Sequence, residues 1–274
     1  MKIANKIRTL IKRIFIKERI IPVIIKDIPS CLLKEKNILI AGGNSGIGLS
    51  IAKKAIESGG NIIIIGSNSK KCIQVANELL CEYLITDLKD TEKMMIDVSN
   101  LLDKKNIDIL INCAGIHGTE KFGEISSKQW DDVMDVNVKS LYFLSQLVSN
   151  HMINNKIQGH ILNISSASSI KPGWTPYEIS KRAVNGITLG FAHKLIKHGI
   201  IVNGIAPGPT ATPMLNFTNQ DNIDLSWSAN PSGRVSTVEE IANLAIFLIS
   251  DLGKGIVGDT IFLTGGSGTI CMDK

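Results

Sequence analysis

The sequence predicts an α/β fold, a doubly wound parallel sheet with helices on both faces. Three observations predict it. From Asn37 onward, seven short apolar runs alternate with longer stretches of helical periodicity. The runs are near-continuous in Ile, Leu and Val, as strands buried on both faces require. A glycine-rich segment follows the first run and opens the first periodic stretch, which is where such a sheet turns from strand to helix.

In chain order the expected strands are NILIA (37–41), NIIII (61–65), YLIT (83–86), IDILIN (107–112), HILNIS (160–165), IIVNGIA (200–206) and TIFLT (260–264). Between the first two, Ile51, Ala52 and Ala55 mark a buried helix face. Before the sixth, Thr175, Pro176 and Glu178 form a capping box with proline at the first helical position. Ile179, Ala183, Ile187, Phe191 and Leu195 then read as one buried stripe, and Gly199 as the stop. Thr237 and Glu240 repeat the box ahead of Ile241, Leu244, Ala245 and Leu248.

Composition bounds the class. With 274 residues, 44% hydrophobic and 20% charged, the chain can bury the core of one ordinary domain. Its net charge of +5 resides in residues 1–36, which carry ten Lys or Arg against three acidic residues and leave the remainder at −2. No nucleic-acid partner is expected from so confined a charge. We therefore divide the chain into a basic amphipathic N-terminal extension, residues 1–36, and one α/β domain, residues 37–274. Cys31, Cys72, Cys81, Cys113 and Cys271 are scattered, with no pairing suited to zinc or a redox motif, so a reducing, cytoplasmic setting is expected and no metal. The run IIPVII (20–25) is too short to span a bilayer, and no cleaved secretory signal is expected. Ile3, Ile7, Leu10, Ile11 and Ile14 recur at helical spacing among basic residues within 1–19, a pattern suited either to peripheral contact with an anionic membrane or to packing on protein.

The glycine-rich segment AGGNSGIG (41–48) has Gly42, Gly46 and Gly48 at the spacing that lets backbone approach a pyrophosphate beside a helix N-terminus. An ordinary strand-to-helix connection uses the same residues. Taken together with the segments NCAG (112–115), YEISK (177–181) and PGPTAT (207–212), however, it makes the chain resemble the short-chain dehydrogenase/reductase family through most of residues 37–274. AGGNSGIG is similar to the family's TGxxxGIG, NCAG to NNAG, YEISK to YxxxK, and PGPTAT to PGxxxT. VNV (136–138), ISS (164–166), GRVSTVEEIA and the closing TGG also match in order. Two positions depart: Ala41 stands for threonine and Cys113 for the second asparagine.

The resemblance implies a Rossmann fold and a nicotinamide dinucleotide held by Gly42, Asn44, Ser45, Gly46, Ile47 and Gly48. It also implies contacts from Ser67, Asn68 and Asp87 at the adenosine end and from Asn112, Ala114 and Gly115 after the fourth strand. Pro207, Gly208, Thr210 and Thr212 would support the nicotinamide. Asp87 could equally be a plain capping aspartate. After the second strand the residues Gly66, Ser67, Asn68, Ser69, Lys70 and Lys71 include no acid to accept from ribose hydroxyls and repel a 2′-phosphate, so NADP is preferred, with NAD possible.

Tyr177 and Lys181 are four apart on a predicted helix and share a face. A free phenol has a pKa of about 10, and a neighbouring ammonium together with the helix N-terminus favours its ionised form. Such a group can exchange a proton with a carbonyl or alcohol oxygen. By resemblance Ser166 aligns the substrate oxygen, with Ser165 its rival, and Asn137 holds a water that relays protons to Lys181. The catalytic set is thus Asn137, Ser166, Tyr177 and Lys181, and Tyr177 and Lys181 also contact the cofactor. A surface Tyr/Lys pair is the bland alternative.

The expected activity is hydride transfer between nicotinamide and a small carbonyl or alcohol substrate. A non-catalytic dinucleotide sensor or scaffold is the competing class, and sugar-nucleotide isomerases or dehydratases of the fold usually carry a larger C-terminal region. Met214 to Gly233 lies where relatives carry a lid, with Phe217 and Trp227 in it, and Trp174 and His117 are candidates for the same pocket. No motif names the substrate. The resemblance implies a homodimer or homotetramer.

Overall fold

The computed structural model describes residues 31–118, 121–215 and 224–270. Its seven strands are β1 (Asn37–Ala41), β2 (Asn61–Gly66), β3 (Glu82–Ile85), β4 (Ile109–Asn112), β5 (His160–Ile164), β6 (Ile201–Pro207) and β7 (Thr260–Leu263). They form one parallel sheet in the order β3-β2-β1-β4-β5-β6-β7. This is the Rossmann arrangement that the alternating pattern requires, and the order reverses between β1 and β4.

Side-chain alternation along each strand divides the core between two faces. Ile38, Ile40, Ile62 and Ile64 face helices α1 (Gly46–Glu57) and α7 (Val238–Leu248), where Ile51, Ala52, Ala55, Ile241 and Ala245 meet them. Leu39, Ile63, Leu110 and Ile161 face the other way, onto Met94 and Val98 of α3 (Thr91–Leu102), Leu144 and Val148 of α5 (Ser140–Asn154) and Ala192 of α6 (Pro176–Leu195). Helices α2 (Ser69–Leu79) and α4 (Ser127–Met134) complete the layers. Full burial on both faces holds for the inner strands only. In β3, at the sheet edge, Glu82, Tyr83 and Ile85 are exposed, because an edge strand has one neighbour and no second covering helix.

Leu33 is 1% exposed and donates its backbone NH to Ser58, so the described chain ahead of β1 packs into the core. Residues 1–19, including the basic amphipathic pattern, lie outside the described residues.

Helix α6 corrects one expectation. Its buried face is Ser180, Lys181, Val184, Thr188, Ala192 and Leu195, while Ile179, Ala183, Ile187 and Phe191 are only half buried. The hydrophobic stripe therefore flanks the inward face. Lys181 and Thr188 turn inward because each finds a backbone acceptor, Ile164 for the ammonium and Val184 for the hydroxyl. The capping box on Thr175 and Glu178 forms as expected, and Gly199 ends the segment in the left-handed region (φ 74°) after a short 3-10 turn.

Candidate active site

The first turn of the site is built by glycines that cannot be replaced for reasons of packing. Gly42 has φ +80°, and a Cβ there would lie 2.8 Å from the Ala114 Cα. A Cβ on Gly48 would lie 2.2 Å from the Gly42 oxygen, so helix α1 can sit this close to the turn only without a side chain. Gly46 differs: at φ +51° its nearest neighbour to an added Cβ is Thr212, 3.7 Å away. Ser45 caps α1 with no side-chain hydrogen bond, and no acid stands in the first helical turn. Backbone NH groups at such an end favour an anion, and the residues present fit a pyrophosphate. Asn44 donates to the Cys72 thiol at 3.2 Å, tying the turn to α2.

At the far end of the same cleft lie Ser67, Asn68, Lys71 and Asp87. The Asn68 side chain accepts from the Lys71 NH at 3.0 Å and caps α2. Asp87 accepts from the Lys89 NH at 3.0 Å, while the cap of α3 is Asp90. Both side chains thus hold their own loops and still line the cleft.

Across the cleft, Tyr177 occupies the first turn of α6, with the Lys181 ammonium 5.8 Å from its ring centroid and the His117 ring edge-on at 6.2 Å. Lys181 is 4% exposed and donates to the Ile164 carbonyl at 2.9 Å. Burial pushes its pKa down to about 8, with the Cys113 side chain opposing that shift. Burial pushes the Cys113 thiol up to about 12, so it is neutral at ordinary pH. Gly115 makes this crowding feasible: an added Cβ would stand 3.3 Å from the Lys181 Nζ and 3.5 Å from the Asn137 Oδ1.

Asn137 lies in a π-helical segment, Asp135–Lys139, between α4 and α5. Its Oδ1 accepts from the Ile116 NH at 2.8 Å, and its Nδ2 donates to the Ile116 carbonyl and the Ser180 hydroxyl at 2.9 and 3.0 Å. One buried amide therefore pins the loop after β4 to the helix that carries Tyr177.

The two rival serines both line the cleft and differ in their partners. Ser165 is buried, its hydroxyl bonded to the Lys181 carbonyl at 3.1 Å and to Asn185 of α6. Ser166, half exposed on the cleft wall, accepts from the Ser168 NH at 3.1 Å and keeps its own proton to donate.

Pro207, the last residue of β6, and Gly208, Thr210 and Thr212 after it run along the cleft, with the Thr210 hydroxyl donating to the Gly208 carbonyl at 2.9 Å. Ala114 and Gly115 line it, as does Ile47 of the glycine turn. Asn112 does not. It is 3% exposed, and its amide donates to Ser145 and Asn163 at 2.9 and 2.8 Å beneath the cleft floor. Among the pocket candidates, His117 and Trp227 line the cleft, Trp174 does not and packs edge-on against Phe122 at 5.8 Å, and Phe217 lies outside the described residues. Lys171, Met214 and Leu215 also line it. Lys171 was legible only as a residue five after Ser166 and six before Tyr177, a spacing that carries no periodic signal.

A cleft of about 890 Å³ thus runs over the carboxyl ends of the strands at the point where their order reverses, with a glycine turn at one side and a tyrosine above a buried lysine at the other. That combination defines a dinucleotide-binding α/β enzyme. The chain belongs to the short-chain dehydrogenase family, whose model matches residues 36–223 under the description "short chain dehydrogenase". It is 34% identical over 238 residues to gluconate 5-dehydrogenase of Gluconobacter oxydans, covering 83% of this chain and 93% of that protein. It is also 34% identical over 248 residues to a 3-oxoacyl-acyl-carrier-protein reductase of Chlamydia trachomatis, with 86% and 99% covered. Among solved structures, a gluconate 5-dehydrogenase of Burkholderia cenocepacia in complex with NADP and tartrate superposes with a TM-score of 0.80 at 28% identity, covering 88% of this chain and 99% of that one. The protein is an NAD(P)-dependent oxidoreductase that transfers hydride between nicotinamide and a carbonyl or alcohol.

Proposed function

We propose that this oxidoreductase is a carbonyl reductase or alcohol dehydrogenase of small molecules, with Tyr177 as its general acid and base. The observation that carries the reading is the joint placement of Tyr177, Lys181 and Ser166 on one cleft, with the ammonium 5.8 Å from the phenol ring. A bound nicotinamide dinucleotide supplies hydride in reduction and accepts it in oxidation. The Ser166 hydroxyl donates to the substrate oxygen and orients it. Tyr177 gives its proton to that oxygen as negative charge develops, and takes it back in the reverse direction. Lys181, charged below a pKa of about 8, stabilises the phenolate left behind. Asn137 holds the loop and helix that frame these groups.

Gly42, Asn44, Ser45, Gly46, Ile47 and Gly48 would hold the pyrophosphate, and Ser67, Asn68 and Asp87 the adenosine end. Ala114, Gly115, Pro207, Gly208, Thr210 and Thr212 would border the nicotinamide half, while Asn112 supports them from below. NADP is the favoured cofactor: no carboxylate stands between Gly66 and Lys71, and Lys71 lines the cleft there. A homodimer or homotetramer is favoured by the outer face of α5 and α6, where Tyr142 and Leu189 are 41% and 62% exposed beside half-buried Ile187 and Phe191. Among the described residues no helix is long and apolar enough to cross a membrane, and Cys31, Cys72, Cys81 and Cys113 are free thiols, which suits a reducing cytoplasmic setting. Peripheral membrane contact would rest on residues 1–19 alone.

The test is a panel of carbonyls and alcohols read by nicotinamide absorbance with each cofactor in turn. Turnover of at least one pair, faster with NADPH than NADH, is expected. Tight nucleotide binding without turnover of any member would replace this reading with the sensor or scaffold.

A further inference from the structure

We propose that Lys171 anchors an anionic group of the substrate, making the preferred substrate a carbonyl compound that carries a carboxylate or phosphate. The inference rests on the oxidoreductase reading and names the substrate class of that same site. Among the described residues four lysines line the cleft: Lys71, Lys89, Lys171 and Lys181. Lys71 stands at the adenosine end beside Ser67 and Asn68. Lys89 is paired with Asp132 at 2.9 Å, and Lys181 is buried against the Ile164 carbonyl. Lys171, half buried on the segment joining Ser166 to Tyr177, is the one of the four that lies near the reacting groups and is not already committed to a protein partner.

Its backbone is held from both sides. The Lys171 NH donates to the Ser168 carbonyl at 3.3 Å, and its own carbonyl accepts from the Arg182 guanidinium at 2.8 Å. The side-chain stem lies against Gly268, where an added Cβ would stand 3.4 Å from the Lys171 Cε. Among the described residues, the ammonium has neither a carboxylate within ion-pair distance nor a hydrogen-bond acceptor. With the stem covered and the ammonium left without a protein partner, an anion in the cleft would gain a charge-assisted hydrogen bond there. Glu178, the nearest carboxylate in sequence, also lines the cleft but is committed to the helix cap: its Oε2 accepts from the NH groups of Trp174 and Thr175 and from the Thr175 hydroxyl at 3.0 to 3.2 Å. Met214, Leu215 and Trp227 line the same cleft and present apolar surface. Such a cleft suits a short apolar spacer between the reacting carbonyl and a terminal anion.

Calorimetry on the full chain saturated with NADP tests this with matched pairs: 4-oxopentanoate against its methyl ester, and dihydroxyacetone phosphate against dihydroxyacetone. At least one anion is expected to bind 10-fold or more tightly than its neutral partner. Lys171→Met should erase that preference while leaving the neutral compound's affinity unchanged, and Lys171→Arg should keep it. A preference for the acid pair alone assigns a carboxylate, and for the phosphate pair alone a phosphate. Equal affinity within both pairs for the unaltered chain, or a preference that survives Lys171→Met, overturns the proposal. Anion-selective binding without turnover of any carbonyl would leave the anchor standing and remove the oxidoreductase reading, so the two failures are separable.

Discussion

Lys181 donates its Nζ proton to the Ile164 carbonyl at 2.9 Å, fixing the last residue of β5 to the first turns of the helix that bears Tyr177. One contact therefore sets both the position of the ammonium and the wall from which Ser166 projects. Replacing Lys181 with Met should lower kcat by about 10²- to 10⁴-fold, the usual worth of proton-transfer assistance, because the phenolate loses its counter-charge. Steady-state kinetics on the best panel substrate checks it, and unchanged kcat would remove Lys181 from the proton path.

Tyr177→Phe removes the hydroxyl while the ring keeps its edge-on contact with His117. Turnover should vanish while nucleotide affinity, followed by fluorescence titration, stays within about 3-fold. Carbonyl reduction at the original rate would exclude the assigned role.

The glycine turn separates fold from binding. Gly48→Ala places a Cβ 2.2 Å from a backbone oxygen and should destabilise by several kcal/mol, about the level seen for severe overpacking. Gly46→Ala meets only Thr212 at 3.7 Å and should cost about 1–2 kcal/mol, from its left-handed backbone, yet weaken nucleotide binding by 10-fold or more. Urea midpoints and nucleotide titrations on both variants distinguish the two; equal loss of stability would show that Gly46 too is a packing glycine.

Ser67→Asp installs the missing carboxylate at the end of β2. The ratio of kcat/KM for NADPH over NADH should fall at least 10-fold, because the acid repels a 2′-phosphate and accepts from free ribose hydroxyls. A ratio that does not move would place the adenosine ribose elsewhere.

His160, at the start of β5, is 9% exposed, and its Nδ1 has no hydrogen-bond partner among the described residues. Burial holds its pKa down at about 4, with Asp251 opposing and Lys254 and Lys36 assisting. Because the unfolded chain binds this proton near pH 6.5 and the folded chain does not, stability is whole above about 6.5 and falls as pH drops toward 4, by about 3 kcal/mol in all. Urea midpoints from pH 7.5 to 4.5 should show that slope, and His160→Gln should flatten it; parallel slopes would assign the acid sensitivity to the carboxylates.

Short-range signals carried much of the molecule. The seven apolar runs, the capping boxes at Thr175 and Thr237, and the buried Ile51, Ala52 and Ala55 are decided within one or two helical turns, so they could be read from residue order. The Tyr177/Lys181 spacing and the glycine turn belong to the same kind. The expected stripe on α6 missed its inward face because Lys181 and Thr188 are polar in name, and only their acceptors make them interior residues.

Residue order alone carried the strand pattern, the glycine spacing and a phenol one turn from an ammonium, because all three are local and periodic. Folding decided the partners of two adjacent serines that both line the cleft, that Asn112 braces the floor from below, and that Lys171 reaches the wall with no partner among the described residues. Those outcomes depend on groups brought together from distant parts of the chain, such as Ser165 with Asn185 and Asn112 with Ser145. A hydrogen-bond partner has no period, and so no pattern along the chain announces it.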